Sequence, residues 1–268
     1  WSLHAELTPQ SKKNRYMTKL AKIDDVEPDL AQKEAVDGYL EDIEASPFVI
    51  SKIKRSERRR KPSAPFITSS LQQEASRRLG FTARRTMMIA QQLYEGLEVG
   101  EGGANGLITY MRTDSTNVAD VAQKEARTFI KQNYGGDFLP GTAPQYKTRA
   151  VSAQEAHEAI RPTSVMRQPD KIKEFLSPEQ FKLYQLIWKR FVASQMESAV
   201  YDTLSVDVTA DGKMHQYLFR ASGSTVKFPG FLILYEDAAD EDLKSDEPEN
   251  VRIPAGLEEG QPQKLERL

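Results

Sequence analysis

Two periodicities divide this chain. At its start Trp1, Leu3, Ala5 and Leu7 alternate with Ser2, His4 and Glu6; toward its end Leu204, Val206 and Val208 alternate with Ser205, Asp207 and Thr209. A two-residue repeat puts the apolar set on one face of a strand, so both ends are expected to form half-buried sheet. Between them the repeat lengthens to that of a helix, as in Phe181, Tyr184, Ile187, Trp188 and Phe191. The simplest architecture for a β–helical–β order is an α+β fold, a discontinuous β-rich domain with a mainly helical domain inserted into it. The expected limits are 1–65 and 198–268 for the β-rich parts and 66–197 for the insert. With 268 residues, each part is large enough to bury a core of its own.

Local signals refine this outline. A polar turn over 8–14 leads to a strand near Tyr16–Ile23, and Asp29 is expected to cap a helix in which Val36, Leu40 and Ile43 recur. Strand returns at 48–54, and Pro62-Ser63-Ala64-Pro65 punctuates the boundary. Ser69 with Gln72 reads as a capping box opening a helix that Gly80 ends; Thr82 caps the next, Ala83–Glu95, closed by Gly96. Arg77, Arg78, Arg84 and Arg85 crowd the joint of this pair, which reads as an αα-hairpin or, alternatively, as a nucleic-acid-binding helix-turn-helix with Ala83–Glu95 as recognition helix. Helices are also expected over 119–132 and 153–160, and at Ser177-Pro178-Glu179-Gln180, which supplies an N-cap, a proline at the first position and Gln at the third. Near the end, Asp211-Gly212 predicts a hairpin turn, and 217–221 and 231–235 continue the strand pattern.

Composition narrows the classes. The chain has no cysteine, which excludes disulfides and Cys-ligated zinc within it. No apolar run reaches the length of a membrane span and no signal-peptide pattern opens it. It begins at Trp1 inside a strand pattern, and the expectation is a piece of a longer protein. The net charge of −2 gives no overall basic field, but Lys52 to Lys61 is strongly basic and Glu236 to Asp242 acidic. Runs of this kind commonly serve as solvated faces.

The chemistry concentrates in Gly106-Leu107-Ile108-Thr109-Tyr110-Met111-Arg112-Thr113-Asp114-Ser115-Thr116. An unperturbed phenol, with a pKa of about 10, is a weak nucleophile at neutral pH unless cations stabilise its anion. In an extended segment Arg112 lies on the same side as Tyr110, where a guanidinium can bind the phosphate under attack. The hydroxyls and carboxylate that follow lead toward a helix N-terminus, whose free N–H groups suit an anion. In a second string, Ser152-Ala153-Gln154-Glu155-Ala156-His157-Glu158-Ala159-Ile160-Arg161-Pro162-Thr163, His157 and Arg161 are expected one helical turn apart. That pair suits a phosphate, or else forms surface ion pairs with Glu155 or Glu158.

Both strings, together with Lys61-Pro62-Ser63-Ala64-Pro65-Phe66-Ile67-Thr68-Ser69-Ser70-Leu71-Gln72, closely resemble hallmarks of the type IA DNA topoisomerases, and Met111 is similar to the bacterial topoisomerase I branch. The resemblance implies that Tyr110 attacks a phosphate of single-stranded DNA to give a 5′-phosphotyrosine and a free 3′-hydroxyl. Strand passage and religation follow without ATP, relaxing negative supercoils. It implies Arg112 as the electrostatic partner in catalysis, with His157, Arg161, Thr113, Asp114 and Ser115 as DNA-binding residues. It also implies a β-rich arch carrying a helical cap that bears the tyrosine, in a cytoplasmic, nucleoid-associated monomer. Mg²⁺ and a general-acid glutamate would come from a TOPRIM domain that nothing here resembles, and parts of a base domain are likewise expected elsewhere. The expectation is therefore that this piece alone is inactive.

Overall fold

The structure, a computed structural model, describes residues 1–9, 14–100, 103–146, 157–235 and 251–268. It contains two compact units. One comprises Trp1–Arg59, Val200–Phe228 and the described residues at 251–268; the other comprises Arg60–Ala199 and the segment that follows Phe228.

The first unit is a closed antiparallel barrel. Strands β1 (His4–Pro9), β2 (Tyr16–Ile23), β3 (Phe48–Arg60), β6 (Ala199–Asp211), β7 (Gln216–Phe228) and β8 (Pro262–Arg267) follow the order β1-β2-β7-β6-β3-β8, and β8 closes on β1. Closure removes the unpaired edges that an open sheet would expose. The alternation at the chain ends points inward: Ala5, Leu7, Leu20, Ile50, Val206, Val208 and Phe219 fill the core. Helix α1 (Lys33–Glu44) packs Val36 and Ile43 into the same core. It starts at Lys33 behind Gln32, not at Asp29, whose Oδ1 instead accepts Ala31 N–H at 3.1 Å in the turn before it. The β6–β7 hairpin has a four-residue loop, 212–215, in place of a tight Asp-Gly turn. The Asp42 carboxylate explains this, accepting the N–H groups of Lys213, Met214 and His215 and the Tyr217 hydroxyl.

The second unit is helical: α2 (Thr68–Leu79), α3 (Ala83–Glu95), α4 (Asp120–Asn133), α5 (Pro169–Ile172) and α6 (Pro178–Ser194), with the short hairpin β4 (Leu97–Glu98) and β5 (Ala104–Asn105). Several ends follow the sequence. Gly80 takes φ 68° after α2, Thr82 Oγ1 accepts Arg85 N–H, and Ser177 and Gln180 form the expected reciprocal box. Tyr184, Ile187, Trp188 and Phe191 are buried core, while Phe181 is half-buried beneath Lys173.

Three expectations change. Helix α2 begins at Thr68, with Ser70 Oγ accepting Ile67 N–H, because Thr68 is bonded to the segment beyond Met111. Gly230–Tyr235 is a 3-10 turn in the helical unit, not a strand; its run is apolar throughout and buries Phe231 and Leu234. The helix expected over 153–160 falls partly outside the described residues; 157–160 are not helical, and Ile160 bridges to Phe66.

Candidate active site

The Tyr110 segment is threaded through its unit by a series of backbone bonds. It passes so close to α3 that a Cβ on Gly106 would sit 2.8 Å from Tyr94 O, which only glycine avoids. Leu107 N–H then donates to Leu93 O at 2.7 Å. On the other side Thr163 N–H reaches Leu107 O, Ile108 bridges Pro162, and Thr109 N–H donates to Arg161 O. The Thr109 hydroxyl completes the join, donating to Ala159 O at 2.7 Å and accepting Arg161 N–H at 3.0 Å. Because Ile160 N–H in turn donates to Phe66 O, the 159–163 segment lies between the 66 and 108 regions. Three strings separated in sequence thus meet in one place.

From Tyr110 onward the backbone is irregular yet keeps a strict alternation of burial. Met111, Thr113 and Ser115 are buried; Tyr110, Arg112 and Asp114 are exposed, Tyr110 by 45%. Met111 supplies the apolar anchor, and Thr68 at the start of α2 the polar one. Its hydroxyl donates toward Met111 O (2.8 Å) and Thr113 O (3.0 Å) and accepts Thr113 N–H at 2.9 Å, while its own N–H donates to Thr113 O. Thr113 Oγ1 accepts Ser115 N–H and Ser115 Oγ accepts Asn117 N–H, carrying the turn on toward α4. Hydroxyls therefore satisfy the polar backbone of a stretch that forms no regular ladder. The Tyr110 ring meets Tyr94 edge-on, 5.3 Å between centroids.

Beside this edge is a cleft of about 410 Å³, lined by Ile67, Thr68, Ser69, Gln72, Arg112, Thr113, Asp114 and His157. It lies at the N-terminus of α2, where backbone N–H groups and the helix dipole favour an anion. Among the described residues Arg112, Asp114 and His157 have no hydrogen-bond or ion-pair partner, so their polar groups remain available. The other site expectations are placed differently. Arg161 is 8% exposed, its Nε donating to Glu158 Oε2 and a terminal nitrogen to Pro162 O, and it does not share a helical face with His157. Thr113 is largely buried yet lines the cleft, Ser115 lies beneath the surface, and both hold the turn. Helix α4 begins at Asp120, so the N-terminus that borders the cleft is that of α2.

Under the site, Glu74 of α2 is almost fully buried and receives Arg77, Arg78 and, from α6, Arg190. Burial alone would raise its carboxyl, but Arg190, Arg78 and Arg77 together hold it below the usual carboxylate range. Arg190 also stacks on Phe66, 4.5 Å from the ring centroid, which fixes the residue leading into α2. Most arginines at the α2–α3 joint are thereby engaged inside the unit, and Arg85 pairs with Glu179. Sequence reasoning missed Thr68 and Thr109. Their signal was a threonine in each of two motif strings, but a threonine's bonding partners lie far away in sequence.

The family profile described as DNA topoisomerase matches residues 1–267. The "DNA topoisomerase 1" proteins of two Xylella fastidiosa strains, Temecula1 and 9a5c, are each 43% identical over 274 residues, covering 100% of this chain and 33% of the relative. Full-length topoisomerase I from Thermotoga maritima superimposes with a TM-score of 0.71 at 33% identity, over 99% of this chain and 39% of that one. The chain thus belongs to the DNA topoisomerases, in the bacterial type IA group. It spans about a third of the length of the curated relatives it matches.

Proposed function

We propose that this chain supplies the DNA-cleaving tyrosine of a type IA DNA topoisomerase that relaxes negative supercoils without ATP. The helical unit corresponds to the tyrosine-bearing cap and the barrel to the arch. The observation that supports this best is that Tyr110 and Arg112 are both exposed on one short stretch, and that Arg112 and His157 line the cleft at the α2 N-terminus. Tyr110 Oη attacks the phosphorus of a single-stranded DNA phosphodiester. A phosphotyrosine bond forms, the bond to O3′ breaks, and the phenol proton is lost as O3′ gains one. Arg112 neutralises the non-bridging oxygens as charge builds on them, and the helix N-terminus and His157 bind the flanking phosphate. Religation is the same exchange in reverse, so the energy of the cleaved bond is kept in the phosphotyrosine.

The family implies Mg²⁺, but the residues around this site do not fit it. Asp114 is the one carboxylate lining the cleft, whereas Mg²⁺ takes an octahedron of oxygens. Among the described residues no group of three or more His, Asp or Glu is placed to hold a metal. No step above runs through the ion, and the acid that protonates O3′ is assigned to another part of the longer enzyme. Single-stranded DNA is the substrate, and its place in the cell is with the nucleoid. The described residues contain no helix long and apolar enough to cross a membrane.

Covalent trapping tests the assignment. A labelled single-stranded oligonucleotide is incubated with Mg²⁺ and a protein of the relatives' full length, then denatured and run on a gel. An adduct in wild type that is lost with Tyr110→Phe is expected; an adduct that survives the substitution refutes the nucleophile. The 268-residue chain alone is expected not to relax supercoiled DNA. Relaxation by it would show that the leaving-group acid lies within this chain. A helix-turn-helix module would instead bind duplex DNA sequence-selectively and be indifferent to Tyr110→Phe.

A further inference from the structure

The barrel unit carries a second polar surface that the tyrosine chemistry does not use. Strand β3 pairs with β8 only at Phe48 and Val49, and β7 pairs with β2 only between Tyr217 and Arg220. Beyond those points β3, β6 and β7 continue as a three-stranded ribbon. Its register is fixed by Thr203 opposite Ser224 and by the Ser56 and Thr203 hydroxyls, 2.7 Å apart. Alternation then places Lys52, Lys54 and Arg58 on one face, where they line a groove of about 480 Å³.

The charges on this face are not balanced internally. Its carboxylate, Asp207, is held by Arg220 in a two-point contact at 2.6 and 2.9 Å. Glu57 and Asp202 are on the opposite face and share Lys227. Lys52 and Lys54 are exposed and have no ion-pair partner among the described residues. Arg58 lies 5.2 Å over the buried Tyr201 ring, which fixes its plane and leaves its N–H edges free. Between the cations, the Ser205 and Ser222 hydroxyls line the groove without a side-chain partner among the described residues.

We propose that this ribbon face is a second binding track for single-stranded DNA, read through its phosphates. Three cations without a balancing carboxylate, interleaved with hydroxyl donors, complement a polyanion. The spacing agrees, since alternate residues on a strand repeat about every 6.8 Å, comparable to the phosphate repeat of an extended nucleic-acid strand. So does the width: β3 to β7 is two strand spacings, about 10 Å, which accommodates one strand and not a duplex. No aromatic ring is exposed in the groove to stack on a base, so the track binds without regard to sequence. The inference rests on the DNA reading given above but fails separately from it.

The test is fluorescence anisotropy of a labelled oligothymidylate with the 268-residue chain carrying Tyr110→Phe, so that no covalent adduct contributes, as salt is raised from about 50 to about 200 mM. Replacing Lys52, Lys54 and Arg58 together by Gln is expected to weaken binding on the order of tenfold at low salt. It should also flatten the slope of log K against log salt by about two, at about 0.7 per lost phosphate contact. A charge-keeping Lys52→Arg, Lys54→Arg, Arg58→Lys variant should retain the wild-type slope. An unchanged slope in the Gln variant overturns the track, and so does an equal loss in the charge-keeping one, which would make the effect one of shape. If the wild type prefers a duplex of the same length, the single-strand assignment falls. Adduct formation at Tyr110 in the full-length protein is read independently of all three outcomes.

Discussion

The β6–β7 loop of the barrel and the 109–115 stretch of the helical unit are both irregular backbone held by side-chain hydrogen bonds, Asp42 and Thr68 among them reaching in from far along the chain. In the barrel the anchor is a carboxylate. Asp42 takes three backbone N–H groups and a phenol, and its neighbour Asp24 takes Gln216 N–H and His215 Nδ1. Burial opposes ionisation of Asp42, but those hydrogen bonds outweigh it and hold the carboxyl below its usual range. In the helical unit the anchors are hydroxyls, those of Thr68, Thr109, Thr113 and Ser115. A hydroxyl both donates and accepts, so it can satisfy a carbonyl and an N–H together without bringing in a charge. Arg112, Asp114 and His157 are thus left to face outward. The barrel loop uses its charges to hold itself; the tyrosine stretch leaves Arg112 and Asp114 unpaired among the described residues.

The sharpest way to break this contrast is at Arg112. Arg112→Ala should lower cleavage in the full-length protein by about 10²–10³, the scale of losing one transition-state donor. Single-turnover trapping measures it, and a rate within a few-fold of wild type would mean that Arg112 is not positioned on the reacting phosphate. Next in size is Glu74→Gln, which leaves three guanidiniums facing a neutral amide and should cost the helical unit about 3 kcal/mol. Because the folded carboxyl titrates below its unfolded value, this stabilisation is fully present above the ordinary carboxylate range and is lost as pH falls through the depressed value. Urea midpoints of wild type and Glu74→Gln should therefore converge as pH falls through the depressed carboxyl range and differ most near neutrality.

Thr68 tests the hydroxyl half of the comparison. Thr68→Val keeps the shape but loses three contacts. It should slow cleavage by about 10- to 100-fold with little change in DNA affinity, as expected when a reacting group is displaced by a fraction of an ångström. Thr68→Ser should restore the rate; if Ser fails as Val does, the methyl group and not the hydroxyl is what matters. The converse substitution, Asp42→Ala, should lower the unfolding midpoint of the barrel and leave adduct formation unchanged. A loss of cleavage there would show that the barrel loop is not the self-contained structure its bonding describes.

Much of this was legible in residue order. Alternation marked the barrel strands, and the caps at Gly80, Thr82 and Ser177 act where they stand, because a cap is a contact between residues a few positions apart. The three motif strings marked the residues that line the cleft, and Tyr110, Arg112 and Asp114 alternate as exposed residues with buried Met111, Thr113 and Ser115. What failed were signals judged without their partners. A helix at 157–160 did not form because Phe66 offered Ile160 a backbone pair, whereas the Arg161–Glu158 ion pair, one of the two alternatives the sequence offered, did form. Phe231 and its neighbours became a 3-10 turn because α6 covers them, a burial that an unbroken apolar run cannot announce.

The β–helical–β order, the residues with the right chemistry and the basic run of β3 are readable from residue order, since they depend on periodicity and residue type alone. Which ends of the chain close into a barrel, which hydroxyls hold the Tyr110 stretch, and which face of β3 keeps its charge unbalanced are settled by folding. Each of those depends on groups tens to hundreds of residues apart coming within about 3 Å, the range at which a hydrogen bond forms.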